Sequence, residues 1–158
     1  MLLYIWEIFV CLYESLLVTY LFYKKIGLKA RRTQRLIISI IVMVSALCVL
    51  TFTVSSTPLR MALILAVYIF VAFWTFDCSK RSRWYKALIW PSCVLLVVAV
   101  ADNVTFSIAE AMTDYPLHEL MLLGGARVQF TLVYLLVVTV LVWAVVHLGE
   151  PEPELPFA

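Results

Sequence analysis

Charged residues are scarce in this chain of 158 residues: only 14% are Asp, Glu, Lys or Arg, whereas 65% are hydrophobic. A water-soluble domain of this length needs many more polar side chains to cover its surface. The composition therefore excludes a soluble globular protein and predicts an integral membrane protein with little mass outside the bilayer. We expect an all-α fold, a polytopic transmembrane helix bundle with about five spans.

Residues that commonly build catalytic or metal sites are also few, with four glycines, two histidines and four cysteines in the chain. There is no glycine-rich phosphate loop, and no cysteine pair has the CxxC spacing of a zinc site. Neither His118 nor His147 has a partner at metal-ligand or catalytic-triad spacing. We therefore expect no catalytic residues, no metal and no cofactor, and we interpret the cysteines as small apolar core residues.

Long apolar runs divide the chain into segments that can each cross a membrane, since about 20 helical residues span the hydrocarbon core. These runs lie at residues 2–23, 36–54, 61–76, 87–112 and 121–148. Together they predict one transmembrane domain over residues 1–148. The acidic, proline-rich tail at 149–158 is expected to be cytoplasmic and unstructured.

Two basic segments determine the expected orientation in the cell membrane. Residues 24–35 contain six Lys or Arg side chains and residues 78–86 contain four. Such clusters are typical of cytoplasmic loops, and the two spans between the segments place both on the same side. We therefore expect both loops to be cytoplasmic and the N-terminus to lie outside. The basic residues are interpreted as topology and lipid-headgroup determinants, and no nucleic-acid partner is expected.

The fourth run is apolar but carries Asp102, Asn103 and Glu110 in its second half. At 100° per residue, these side chains share about one third of the helix circumference with Ser92 and Phe106. A charged side chain that faces lipid costs several kcal/mol. The polar stripe is therefore expected to face the protein interior or a water-filled cavity.

Two other runs add charged side chains at similar depths. Glu7 and Glu14 are seven residues apart in the first run and share a face, and Arg127 lies early in the last run. We predict that four carboxylates and one guanidinium form an outward-facing site for a ligand with a positive group. The predicted ligand-binding residues are Glu7, Glu14, Asp102, Asn103, Glu110 and Arg127. The alternative is that Arg127 pairs with Glu7 or Glu110 only to build a polar helix contact.

Four features follow one another along the chain: the opening IWEIFVCLYESLLVTYLFYKKIGLK, two short spans, the basic-aromatic segment KRSRWYKALIW, and Asp102 in the fourth span. This series resembles the N-terminal membrane region of GHKL-type sensor histidine kinases, the multi-span peptide-sensing kinases of Firmicutes. The resemblance implies a bundle of five to seven helices that detects an outside signal and drives a dimeric cytoplasmic kinase. The 158 residues contain neither a phosphoacceptor-histidine helix nor an ATP-binding domain. We therefore expect a bacterial sensor domain without its kinase: a truncated product, a fragment or a stand-alone receptor-like subunit.

Two alternatives to this signal-transduction role remain open. A small proton-coupled exchanger needs a carboxyl group inside the membrane that exchanges its proton for a cationic substrate, and Glu14 has a suitable position. An accessory subunit of a membrane complex needs polar stripes that await a partner chain. The partners we expect are the lipid bilayer, an extracellular peptide or cationic ligand, and a kinase module or a second copy in a homodimer.

Overall fold

The computed structural model describes residues 2–27, 33–76, 78, 83–112 and 124–148, which form five α-helices and no β-strand. Each helix is long and apolar enough to cross a membrane. The prediction of an all-α, polytopic transmembrane bundle is therefore confirmed, while the orientation of the N-terminus stays a prediction. The helices are α1 (Leu2–Lys25), α2 (Thr33–Thr53), α3 (Thr57–Thr75), α4 (Lys86–Met112) and α5 (Gly124–Leu148).

The third helix begins earlier than its apolar run does. It starts at Thr57, four residues before the predicted boundary at 61, and Pro58 lies in its first turn. Proline fits this position because its fixed φ suits a helix and the first backbone N–H groups have no partner within the helix. Arg60 consequently belongs to the first turn of a membrane-spanning helix and not to a loop.

The acidic, proline-rich tail that we predicted at 149–158 lies outside the described residues.

The helices form a closed ring in chain order. Each helix packs against the next one along the chain, and α5 packs back against α1. Successive helices run antiparallel. Because the ring has five members, its first and last helices, α1 and α5, run parallel where they meet. At one end of the ring, α1, α3 and α5 begin while α2 and α4 end.

The opposite end of the ring is filled by aromatic side chains. Phe22 on α1 packs edge-on against Tyr68 at 6.4 Å and against Phe76 at 5.6 Å between ring centroids. Phe22, Phe76 and Met43 are completely buried, and Tyr68 is nearly so. This aromatic core fills the half of the bundle next to Lys24 and Lys25 at the end of α1 and Lys86 at the start of α4.

Candidate ligand-binding cavity

The ring encloses a cavity of about 490 Å³ at the end where α1, α3 and α5 begin. All five helices contribute to its wall, and the exposed Thr57 at the start of α3 marks its mouth. Cavities of roughly 300–1,000 Å³ are typical of small-molecule sites. The charged side chains in the wall are Glu7, Glu14, Arg60, Asp102 and Arg127.

Apolar and aromatic side chains line most of the remaining wall. Ile64 on α3 and Leu95 and Val98 on α4 belong to it. Phe106 on α4 and Phe130 on α5 also line the cavity, and their ring centroids lie 5.0 Å apart at an angle of 45°. The cavity therefore combines a few charged groups with an apolar surface, which is the usual make-up of a site that binds an organic ligand.

An ion pair joins the two parallel helices that close the ring. The Arg127 guanidinium on α5 lies 2.5 Å from Glu7 Oε1 on α1, with the Glu7 side chain 14% exposed and that of Arg127 37% exposed. This is one of the two pairings that the sequence offered as a structural alternative to ligand binding. The pairing compensates the charge of the mostly buried Glu7 carboxylate, while the Arg127 guanidinium keeps partial contact with solvent.

A second polar contact lies one heptad further along both helices. The Tyr134 hydroxyl donates a hydrogen bond to Glu14 Oε1 over 2.5 Å. Glu14 follows Glu7 by seven residues, and Tyr134 follows Arg127 by the same interval. Parallel helices that pack with this repeat keep the same faces in contact along their length.

A third contact continues the α1–α5 interface beyond the cavity. The Tyr13 hydroxyl and Thr139 Oγ1 lie 2.7 Å apart, and Thr139 donates its own hydrogen to the Leu135 carbonyl over 2.6 Å. Tyr13 is therefore the donor to Thr139, because a hydroxyl has only one hydrogen. The interface between the first and last helices thus carries three polar contacts.

Asp102 and Arg60 face the cavity from adjacent helices, α4 and α3. The positive charge of the Arg60 guanidinium attracts the Asp102 carboxylate. Within the described residues, however, these two side chains are not joined by an ion pair of the kind that links Glu7 and Arg127. Both groups are partly exposed. They are consequently accessible to a ligand that enters the cavity.

The remaining predicted site residues lie elsewhere on α4. Asn103 and Glu110 are exposed and are not part of the cavity wall, and the Asn103 amide donates a hydrogen bond to the Ala99 carbonyl over 2.7 Å. The expected stripe is therefore divided, since Asp102 and Phe106 face the cavity while Asn103 and Glu110 do not. A stripe of one third of the circumference is wider than the part of α4 that reaches the interior. Three carboxylates converge at the cavity instead of the four that we expected.

Most residues of the wall were not among the predicted site residues, and those with a charged or phenolic side chain are Arg60, Tyr68 and Tyr134. Arg60 follows Pro58 closely in the sequence, which is typical of a turn as well as of a first helical turn. Tyr68 lies in an apolar run without any distinguishing pattern. Tyr134 did carry a signal, because its spacing from Arg127 repeats the spacing from Glu7 to Glu14.

Comparison with protein-family models, curated proteins and solved structures finds no match to this chain. The resemblance to sensor histidine kinases therefore stays a prediction. Among the described residues, no group of three or more His, Cys, Asp or Glu side chains is placed to hold a metal ion. The functional argument consequently depends on the cavity and its charges.

Proposed function

We propose that the chain is a membrane-embedded receptor domain that binds an extracellular ligand through a cationic group. The observation that carries this proposal is the position of Glu14 and Asp102. These carboxyl groups come from α1 and α4 and line the same cavity within membrane-spanning helices. Ionisable side chains at such depths are costly and rare, and they commonly mark the sites of ligands or ions.

A purely structural role accounts for only part of this arrangement. Glu7 and Arg127 form an ion pair that joins α1 to α5, so these two charges need no ligand. Asp102 has no such ion pair within the described residues and still faces the cavity. A cationic group that enters the cavity would place a positive charge next to Asp102, and such a charge stabilises a carboxylate inside the membrane.

The orientation of the cavity supports a receptor for an outside signal. The cavity lies at the end of the ring opposite Lys24 and Lys25 at the end of α1 and Lys86 at the start of α4. Basic segments of this kind are typical of the cytoplasmic side. Because all five helices contribute to the wall, a ligand that binds one arrangement of the helices better than another would shift the bundle toward that arrangement.

A proton-coupled transporter is the second candidate, and the contact between Glu14 and Tyr134 favours it. A carboxyl group held deep in a cavity by one hydrogen bond is suited to exchange a proton for a cation. Such a transporter would release protons when an organic cation is added to proteoliposomes, and Glu14→Gln would abolish the release. The receptor that we propose binds the cation without moving protons or ligand across the membrane.

Binding of heptylammonium to the purified chain in lipid nanodiscs tests the proposal. Isothermal titration calorimetry, corrected with empty nanodiscs, measures the affinity. We expect Asp102→Asn to weaken binding by about tenfold or more, because a charge-assisted hydrogen bond is lost. Glu110→Gln is the matched control, since it removes an exposed carboxylate from the same helix. Equal affinities in both variants, or no binding to the unaltered chain, would contradict the proposal.

A further inference from the structure

The charges of the cavity are separated by depth. Arg60 and Arg127 are each the fourth residue of their helices, about 5 Å from the helix start at 1.5 Å per residue. Glu14 lies twelve residues after Leu2, the start of α1, and Asp102 lies ten residues before Met112, the end of α4. These separations correspond to about 15–18 Å. Positive groups are therefore near the mouth, and two of the three carboxylates are about 10 Å deeper.

This separation remains when the ion pair is set aside. Glu7 and Arg127 neutralise each other, which leaves Arg60 as the charged residue of the wall near the mouth that has no ion-pair partner among the described residues. The first turns of α3 and α5 lie at the same end, and the backbone N–H groups of a helix start carry a partial positive charge. The mouth consequently favours an anionic group, whereas the deep end around Glu14 and Asp102 favours a cation.

Apolar side chains occupy the wall between these two regions. Ile64 lies one turn beyond Arg60 on α3. Val10 lies one turn before Glu14 on α1, on the side of the mouth. The rings of Phe106 and Phe130 face the same space. A ligand that reaches both charged regions must therefore place an apolar segment between them, because polar groups would lose their hydration there.

From this arrangement we propose that the ligand is an extended zwitterion, with an ammonium group held at Glu14 and Asp102, an anionic group at Arg60 and a hydrocarbon segment between them. This inference rests on the proposed function and specifies its ligand class. Three single bonds of an extended chain advance about 3.6 Å, so a separation of about 10 Å corresponds to about eight bonds. The compound 8-aminooctanoate has this form.

A set of four probes separates the contributions of the two ends. Heptylammonium lacks the carboxylate of 8-aminooctanoate, octanoate lacks the ammonium group, and 4-aminobutanoate has both groups at a shorter distance. Calorimetry on the full chain in nanodiscs measures each affinity. We expect 8-aminooctanoate to bind about tenfold more tightly than heptylammonium, because it adds a charge-assisted contact to Arg60. Octanoate and 4-aminobutanoate are expected to bind more weakly than either.

The Arg60→Gln variant assigns the anionic end to its partner. We expect this variant to lose the preference for 8-aminooctanoate over heptylammonium while its affinity for heptylammonium is unchanged or higher. Arg60→Lys keeps the charge and should retain most of the preference. Arg35→Gln is the matched control, because Arg35 lies in the first turn of α2 at the opposite end of the bundle. Circular dichroism verifies that each variant is folded.

The outcomes distinguish the two proposals. If heptylammonium binds in a manner that depends on Asp102 but Arg60→Gln leaves the preference for 8-aminooctanoate unchanged, the zwitterion is wrong and the cation site stands. The same conclusion follows if 4-aminobutanoate binds as tightly as 8-aminooctanoate. Tighter binding of octanoate than of heptylammonium overturns the zwitterion and its polarity. If none of the probes binds, the proposed receptor function fails as well.

Discussion

Glu14 on α1 accepts a hydrogen bond from Tyr134 on α5, seven residues beyond each member of the ion pair between Glu7 and Arg127. These two polar contacts, seven residues apart on each helix, hold the first and last helices of the chain together in a parallel arrangement. These helices are joined by no loop, so side-chain contacts alone close the ring around the cavity. The polar residues of α1 therefore stabilise the bundle and also contribute to the candidate site.

Removing the Tyr134 hydroxyl should weaken this closure. Hydrogen bonds between membrane helices contribute about 0.6 kcal/mol on average and up to about 1.7 kcal/mol. We expect Tyr134→Phe to lie near the upper value, because its acceptor is a partly buried carboxyl group. Unfolding in mixed micelles measures the change in the free energy of unfolding. Tyr23→Phe, on the exposed side of α1, is the control and should change it little.

The ion pair between Glu7 and Arg127 should show energetic coupling in a double-mutant cycle. Glu7→Gln and Arg127→Gln each leave the opposite charge without its partner, so each should destabilise the bundle. The double variant should be more stable than the sum of the single effects predicts. Because Arg127 is 37% exposed, solvent screens the pair, and we expect a coupling of about 1 kcal/mol or less. Strict additivity of the two variants would show that the contact contributes nothing.

The end of α1 depends on a glycine with a left-handed backbone. Gly27 has a φ of +85°, and the Phe22 carbonyl accepts a hydrogen bond from the Ile26 N–H over 2.8 Å and from the Gly27 N–H over 3.4 Å. Among the described residues, no atom outside Gly27 and its chain neighbours lies within 4 Å of the position that a Cβ would take at Gly27. Gly27→Ala should therefore cost only the backbone term of about 1–2 kcal/mol, and Gly27→Asn should cost less because Asn tolerates this region. Thermal unfolding distinguishes the two variants.

Reporter fusions test the orientation that the basic segments predict. Fusions after Arg35 and Lys86 should score as cytoplasmic, and fusions after Thr57 and Leu117 should score as external. The reporters are an enzyme that is active only outside the membrane and one that is active only inside. A fusion after Arg35 or Lys86 that scores as external would reverse the orientation, and the cavity would then open to the cytoplasm.

The sequence alone predicts the helices well because each helix corresponds to a local run of apolar residues. An apolar run of the right length identifies a span whatever its neighbours are. The sequence predicts the site less completely, because a cavity depends on which faces of several helices meet. Asp102 and Glu110 have the same charge on the same helix, yet only Asp102 reaches the wall. Arg60 enters the site because α3 begins before its apolar run, a boundary that hydrophobicity does not mark.

Protection of an introduced thiol locates the bound ligand most directly. In a chain whose four native cysteines are replaced by alanine, Thr131→Cys places a thiol in the cavity wall and Ser55→Cys places one outside the wall at the same end of the bundle. We expect heptylammonium to slow modification of the first variant by a methanethiosulfonate reagent several-fold and to leave the second unchanged, with Asp102→Asn removing the protection. Equal modification rates with and without heptylammonium in the Thr131→Cys variant would contradict a cation site in this cavity.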